Sequence, residues 1–391
     1  MAGGGGGGNS WIYMLVIGGA LVGLGMGLHA AHVVSEGAVL GGLLGLGGLL
    51  VVFGSCEVMI KAVEGLAARL DMNEFVAGTM AGLASNVPEL VMLGFVLAAK
   101  PRVGFIVTAL TLHVGAATFG IYSALLPRDE TGHARLPEPL VKLSTDLFAC
   151  AGGVFFATGS LMILLNTFEA GNHDGEALGA PDLYFLGFSL LAVEVVAITR
   201  LVKRFSGSDA SEPSDASDVP TKELPSWGSI GGFAALGTAA AVVGGHAVGD
   251  FAGILVESLL HHGFSEMVGA IFLSIFAAAG ALVMVVTAHR KGMYALALAN
   301  ASGQVTQVPF VVLPIALILL AVFGQTGVIE RMPHGGILPI DLQTTAVVLL
   351  GFPSMLFLWK SIQDDGKVNW VETATMCAIF GLVMFFLAVH G

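Results

Sequence analysis

The chain has 391 residues, 55% of them hydrophobic and only 11% charged, and its mean hydropathy is +0.86. A soluble core this apolar would leave no surface for water, so the composition specifies a polytopic membrane protein. The formal charge of −12 carries no basic footprint, which argues against nucleic acid as a partner.

The opening MAGGGGGGNS (1–10) is low-complexity and reads as a disordered N-terminus. No Lys or Arg precedes the apolar run 11–34, so it lacks the basic region of a signal peptide and reads as a retained transmembrane helix. Ten more apolar runs follow at 38–66, 73–99, 102–126, 139–166, 181–202, 228–259, 266–289, 292–323, 338–360 and 369–390. Each reaches the ~20 residues that span ~30 Å of hydrocarbon, and each is too long for a barrel strand. The expected fold class is therefore all-α integral membrane, with eleven transmembrane helices.

Cys56, Cys150 and Cys377 fall in separate apolar runs without metal-ligand spacing and read as packing residues. GGLLGLGGLL (41–50) lacks the Gly-Lys-Ser/Thr ending of a phosphate loop and reads as small-residue helix packing. The hydrophilic stretch 203–227 is rich in Ser, Asp and Pro, as in a flexible linker. With that linker in the cytoplasm, 13 of the 16 basic residues lie inside and only Lys100, Arg102 and Arg331 outside. The positive-inside rule then puts the N-terminus in the cytoplasm and the C-terminus outside a plasma or inner membrane.

An internal repeat underlies the pattern. LDMNEFVAGTMAGLASNVPELVM (70–92) aligns with HHGFSEMVGAIFLSIFAAAGALVM (261–284). Further on, Gly115 and Thr118 match Gly303 and Thr306, and Asp146-Leu147 matches Asp341-Leu342. Five helices (38–202) thus correspond to five others (228–390), with 11–34 left over. An odd number per repeat makes the two halves insert with opposite orientation, the layout of many secondary transporters.

The polar residues inside the apolar runs point to the chemistry. Ser85, Asn86 and Glu89 share one face of 73–99. A mid-span carboxylate costs about 3 kcal/mol on insertion scales, so Glu89 needs a cation, a proton or a basic partner. Pro88 removes a backbone donor and frees carbonyls near Ala84 and Ser85, an oxygen-rich gap suited to hard cations. The other reading is a kinked helix with a protonated, hydrogen-bonded Glu. Thr108, Thr111, Gly115 and Thr118 form one stripe on 102–126, read equally as neutral ligands or as tight packing. His113, on another face, reads as a proton carrier or a packed histidine. Asn300, Gln304 and Gln307 share a face of 292–323, with Ser302 and Thr306 beside it, more polar groups than interhelical packing needs. Asp146 and Asp341 read as helix N-caps. Glu57, Glu194, Asp250 and Glu257 read either as relay carboxylates or as interfacial ion pairs.

These residues carry a resemblance. Residues 54–101 resemble the first alpha-repeat of the calcium/cation antiporter superfamily, which includes sodium/calcium and cation/proton exchangers. Ala84-Ser85-Asn86-Val87-Pro88-Glu89 is similar to its Gly-Thr-Ser-x-Pro-Glu motif. ANASGQVTQVPFVVLP (299–314) is similar to the second repeat of the cation/proton branch, where Gly303-Gln304-Val305-Thr306-Gln307 sits in the place of Gly-Ser-x-Thr-Gln. The resemblance covers roughly 38–390 and has two departures. The second repeat should supply its own Glu, but AAAGALVM (277–284) has no acid. The first repeat's second helix should be Asn-rich, but this one reads TLHVGAAT (111–118).

The resemblance implies a secondary active cation antiporter, exchanging Ca2+ or Na+ for H+ or Na+ by alternating access, with no enzymatic activity and no cofactor beyond the transported cation. Glu89 would be the ion- and metal-binding residue. Ser85, Asn86, Thr111, Thr118, Asn300, Ser302, Gln304, Thr306 and Gln307 would supply neutral oxygens. His113, Asp250 and Glu257 are the candidate proton-relay residues. One central carboxylate suits a monovalent cation or proton better than Ca2+, unless Asp250 or Glu257 substitutes. Partners would be small inorganic cations and the lipid bilayer. A passive cation channel and a degenerate, non-transporting sensor or scaffold are the alternatives.

Overall fold

The structure is a computed structural model describing residues 9–34, 37–70, 72, 74–136, 138–168, 177–206, 224–290, 292, 294–363 and 366–390. Residues 1–8 of the expected N-terminal tail and 207–223 of the expected linker lie outside the described residues.

The first half holds α1 (Ser10–Ala30), α2 (Ala38–Arg69), α3 (Glu74–Ala99), α4 (Pro101–Leu125), α5 (Glu138–Phe168) and α6 (Ala180–Ser206). The second holds α7 (Trp227–His261), α8 (Glu266–Arg290), α9 (Tyr294–Gln307), a π-helical turn (Val308–Val312), α10 (Leu313–Thr326), α11 (Leu342–Leu349), α12 (Gly351–Gln363) and α13 (Trp370–His390). Two short antiparallel pairs clasp the connections. They are β1 (Ala134–Arg135) with β4 (Lys367–Val368), and β2 (Ala177–Gly179) with β3 (Gly336–Pro339). Among the described residues, ten helical spans are long and apolar enough to cross a membrane, and α8 adds the shorter apolar stretch Glu266–Ala278. The protein is an all-α integral membrane protein.

One helix detail follows from the prolines of its run, and two differ from the sequence reading. The run 292–323 is not a uniform helix. Pro309 has no N–H to offer the Val305 carbonyl, and the chain widens into a π turn closed by Leu313 N–H donating to Val308 O. The run 338–360 is interrupted at Leu350, where Pro353 removes the donor that would bond the Leu349 carbonyl. Asp146 does not cap a helix, because α5 starts eight residues earlier at Glu138-Pro139, with proline suited to a first turn. Asp341 does cap α11: its carboxylate accepts from Thr344 N–H at 2.9 Å in a reciprocal capping box.

The bundle is built around α4, nearly every residue of which is buried from Val103 to Gly120. Helices α3, α8, α9, α10, α12 and α13 pack against it. Helices α2 and α7 cross through glycines. A Cβ on Gly48 would lie 3.0 Å from Gly244 O, and one on Gly244 would lie 3.0 Å from Gly48 O. In lipid, where apolar burial drives no association between helices, such close backbone approach supplies the dispersion contact. Helix α1 lies outside α2 and, with α6, is the least buried of the spans.

One end of the bundle is tied by Arg102 at the start of α4. Its guanidinium reaches Asp341 Oδ2 at 2.7 Å and Glu266 Oε2 at 3.0 Å, joining the starts of α4, α8 and α11. At the opposite end, Arg128 stacks 3.8 Å over Trp370 and donates to the carbonyls of Ser123, Gly132 and Val368.

Candidate functional site

Helices α3 and α9 meet mid-span through their amides. Asn86 Nδ2 donates to Gln307 Oε1 at 2.7 Å, and Asn86 is 8% exposed. Gly82, one turn before Asn86, makes the room, since a Cβ there would lie 3.3 Å from Gln307 Nε2. Pro88 does not break α3, which runs unbroken from Glu74 to Ala99. A single missing hydrogen bond is tolerated in a transmembrane helix when neighbours re-satisfy the freed groups. The Ala84 carbonyl nevertheless loses its donor, and the Cys56 thiol of α2 donates to the adjacent Ser85 carbonyl at 3.4 Å. Ser85 Oγ turns back to Gly82 O at 2.7 Å.

Glu89, half-buried, lies one turn beyond Ser85 on this face. Among the described residues, no hydrogen bond or ion pair reaches its carboxylate, and Cys56 lies within its electrostatic range. An unpaired acid beside open oxygens is available to a cation or a proton.

Helix α9 carries the remaining amides towards α4 and α8. Gln304 Nε2 donates to Ala278 O at 3.3 Å, while its Oε1 is buried without a partner, as is Asn300 Nδ2. Buried amide atoms without partners are costly. Thr306 Oγ1 bonds back to Ser302 O and Gly303 O, and Ser302 and Thr306 are both buried. On α4, Gly115 faces α9, where a Cβ would lie 3.3 Å from Gln304 Cβ. Thr111 and Thr118 flank that crossing, and their hydroxyls bond back to Thr108 O at 2.6 Å and Val114 O at 2.8 Å. Each keeps lone pairs for a further partner.

The candidate relay residues lie elsewhere. His113 is fully buried against α11 and α12, its Nε2 3.3 Å from Val347 O and its Nδ1 3.4 Å from Ser354 Oγ. Asp250 pairs with His246 at 3.1 Å on an exposed side of α7, and Glu257 pairs with Lys100 at 3.4 Å. The structure thus gathers Ser85, Asn86, Glu89, Gln304 and Gln307, with Thr111 and Thr118 on the next helix. It does not bring His113, Asp250 or Glu257 into hydrogen-bonding contact with them. Sequence reasoning passed over Cys56, Gly82 and the Ala278 carbonyl. Only Gly82 left a trace, as a small residue one turn before the polar face.

The sodium/calcium exchanger protein family matches residues 229–389. Across nearly the whole chain, the fold is that of the H+/Ca2+ exchanger CAX: TM-score 0.64 at 14% identity, covering 97% of this chain and 91% of that one. The family match thus lies in the second half of the chain, and the likeness of fold extends over nearly all of it. The Ca2+/H+ antiporter protein YfkE is similar at TM-score 0.63 and 16% identity, over 96% of this chain and 99% of that one. The sodium-calcium exchanger NCX_Mj is similar at TM-score 0.52 and 14% identity, over 88% of this chain and 98% of that one. No curated protein matches the chain by sequence. The chain departs from the resemblance at one point. In 277–284, where the resemblance expects an acid, α8 offers Gln304 a backbone carbonyl instead.

Proposed function

We propose that the protein is a secondary active cation antiporter whose mid-membrane site is centred on Glu89. The Asn86–Gln307 hydrogen bond carries this reading, because it brings the two polar motifs together beside an unpaired carboxylate. Glu89 binds the metal cation (Ca2+ or Na+) in one state and the counter-ion, as a proton on the carboxyl, in the other. Ser85, Asn86, Thr111, Thr118, Asn300, Ser302, Gln304, Thr306 and Gln307 line the position with neutral oxygens, replacing part of the cation's hydration shell. A bound cation competes with Asn86 Nδ2 for the Gln307 amide oxygen, so loading exchanges that bond for ligation.

Two inverted five-helix repeats, 38–202 and 228–390, follow on the same reading. The reciprocal Gly48–Gly244 contact and the approach of Gly115 to Gln304 support them, because both crossings join segments paired by the repeat. Sliding of α2 and α7 across that glycine contact would open the site alternately to each side. The N-terminus is cytoplasmic by the basic-residue count.

The test is flux in proteoliposomes, with Na+, K+, Ca2+ and Mn2+ each set against an imposed pH gradient. Wild type exchanges at least one of them for protons, and Glu89→Gln abolishes exchange while eluting as a folded protein. Wild-type flux in Glu89→Gln would refute the mechanism. Flux that ignores the counter-ion would mark a channel, and binding without flux a sensor.

A further inference from the structure

One half-buried acid outside this site has a carboxylate oxygen that is buried without a partner among the described residues. Glu194 lies on α6, on the stripe Leu183, Gly187, Leu190, Glu194 at i, i+4, i+7 and i+11. That stripe is the packed side of α6: Leu183 is 0% and Leu190 5% exposed, and a Cβ on Gly187 would lie 2.9 Å from Pro314 O. The Oε2 of Glu194 is buried and has no hydrogen-bond partner.

Its depth follows from helix register. Helix α6 runs antiparallel to α10, with Tyr184 OH donating to Gln325 Oε1 at 2.9 Å and Gly187 against Pro314 and Ile318. Two further turns along α6 bring Glu194 opposite the π turn Val308–Val312, which α6 touches directly. The pairing of β2 with β3, which leads into Asp341 and hence to Arg102, puts the start of α6 at the same end of the bundle as Lys100. From that end, Glu194 is ~21 Å along α6 and Glu89 ~16 Å along α3, at 1.5 Å per residue. The two acids lie at nearly one depth, and α6 also contacts α3.

Among the described residues, the elements packed most closely against α6 hold open oxygens and no cationic side chain. Pro314 has no N–H, so the carbonyl it would bond, at Pro309 or Phe310, lacks that donor. Of the elements packed against α6, the π turn, α10 and β2 carry no titratable side chain. Helix α3 carries Glu89 mid-span and Glu74 at its start.

We propose that Glu194 is the second exchange carboxylate of the protein, supplied by α6 in place of the acid missing from 277–284. It carries a proton when no metal cation is bound. On loading it releases that proton to water and contributes its negative charge, with the open carbonyls of the π turn, to a divalent cation shared with Glu89. This rests on the exchange reading above and adds a residue, a proton and a charge to it.

The experiment uses the full-length chain, purified and reconstituted, as wild type, Glu194→Gln, Glu194→Asp and Glu89→Gln. Infrared difference spectra across a pH titration, without flux, report protonated carboxyls. Glu194→Gln should remove one titrating carboxyl band, and Glu194→Asp should restore it at a shifted position. Calcium flux against a pH gradient should then show the number of protons exchanged per Ca2+ falling by one in Glu194→Gln, with steeply reduced Ca2+ but retained Na+ transport. Glu194→Asp recovers the wild-type ratio. An infrared spectrum identical to wild type, or an unchanged proton-to-calcium ratio in a transporting Glu194→Gln, overturns the assignment. Loss of folding alone would leave all bands altered and no recovery in Glu194→Asp, which also counts against it. Absent wild-type flux with the Glu194 band intact refutes the exchange reading instead.

Discussion

Replacing Asn86 and Gln307 by alanine, singly and together, tests whether the two halves of the chain are joined at the candidate site. The bond between them is 2.7 Å long, and Asn86 is 8% exposed. Side-chain hydrogen bonds between transmembrane helices average about 0.6 kcal/mol and reach about 1.7. This pair belongs near the upper end, because the bond is short and Asn86 is buried. The expected coupling is about 1–1.7 kcal/mol, a factor of roughly 5 to 18 in the unfolding equilibrium. Reversible unfolding of the four proteins in mixed micelles, titrated with sodium dodecyl sulfate, measures it. A control cycle of Asn86 with Tyr184, which bonds Gln325 on a separate pair of helices, should be additive. If the Asn86–Gln307 effects add to within about 0.3–0.5 kcal/mol, the amides are uncoupled and α3 and α9 do not meet there.

Two further perturbations probe the helix crossing and a connecting loop. Gly244→Ala puts a Cβ 2.9 Å from Val52 Cγ2 and 3.0 Å from the Gly48 carbonyl, whose backbone cannot step aside. The cost should be about 1–3 kcal/mol, read as a lower melting temperature in detergent, whereas Gly231→Ala on the same helix meets open space and should stabilise slightly. Equal melting temperatures would remove the argument that the α2–α7 contact is tight. In the loop after α4, Asp129 accepts from the Thr131 hydroxyl at 2.6 Å and from the Thr131 and His133 N–H groups at 3.0 Å each. The Thr131 and His133 bonds, led by the Thr131 hydroxyl, pull its pKa down to about 2. A depressed carboxylate stabilises the loop above its unfolded value of ~3.9 and loses that contribution as pH falls towards 2. Amide exchange at Thr131 and His133 should therefore stay protected at pH ~4 and accelerate towards pH ~2, and Asp129→Asn should abolish the transition. Flat protection across that range would show that the carboxylate does not order the loop.

How much of this was legible in the sequence depends on the scale of the physics involved. Hydrocarbon thickness acts on runs of twenty residues, so all eleven apolar runs end within about four residues of a helix end. Local backbone chemistry acts through single residues whose neighbours decide the outcome. Pro88, Pro309 and Pro353 all remove one donor, yet α3 continues, α9 widens into a π turn, and α11 ends. Nothing in the three local sequences distinguishes those results, because surrounding helices decide how the freed carbonyls are re-satisfied. Asp146 and Asp341 look alike for the same reason, and only Asp341 caps, since Glu138-Pro139 starts α5 upstream of Asp146. The site was legible where residue type alone carries a cost. Glu89, Asn86, Gln304 and Gln307 are expensive in lipid wherever they point, so periodicity sufficed to collect them. Cys56 and the Ala278 carbonyl are cheap in lipid, and only tertiary contact gives them a part.

Charge balance bears on the missing acid. In a low-dielectric interior, a divalent cation facing one carboxylate keeps a net positive charge that neutral amides and carbonyls cannot cancel. Segment 277–284 cannot supply the second charge, since it contains no acidic residue. The interior still holds Glu194, on a different helix, at nearly the depth of Glu89 and opposite the turn where Pro309 and Pro314 thin out the backbone donors. On the exchange reading proposed above, Glu194 keeps the charge count at two. Such a site would not follow the symmetry of the two proposed repeats, because both carboxylates come from the first half. The two access states would then present different ligand sets to the ion. On that basis the apparent Ca2+ affinity should differ between the two faces of the membrane, and Glu194→Gln should remove the difference. Reconstituted protein of fixed orientation, assayed with Ca2+ added from either side, gives the measurement, and equal affinities in wild type would refute the asymmetry.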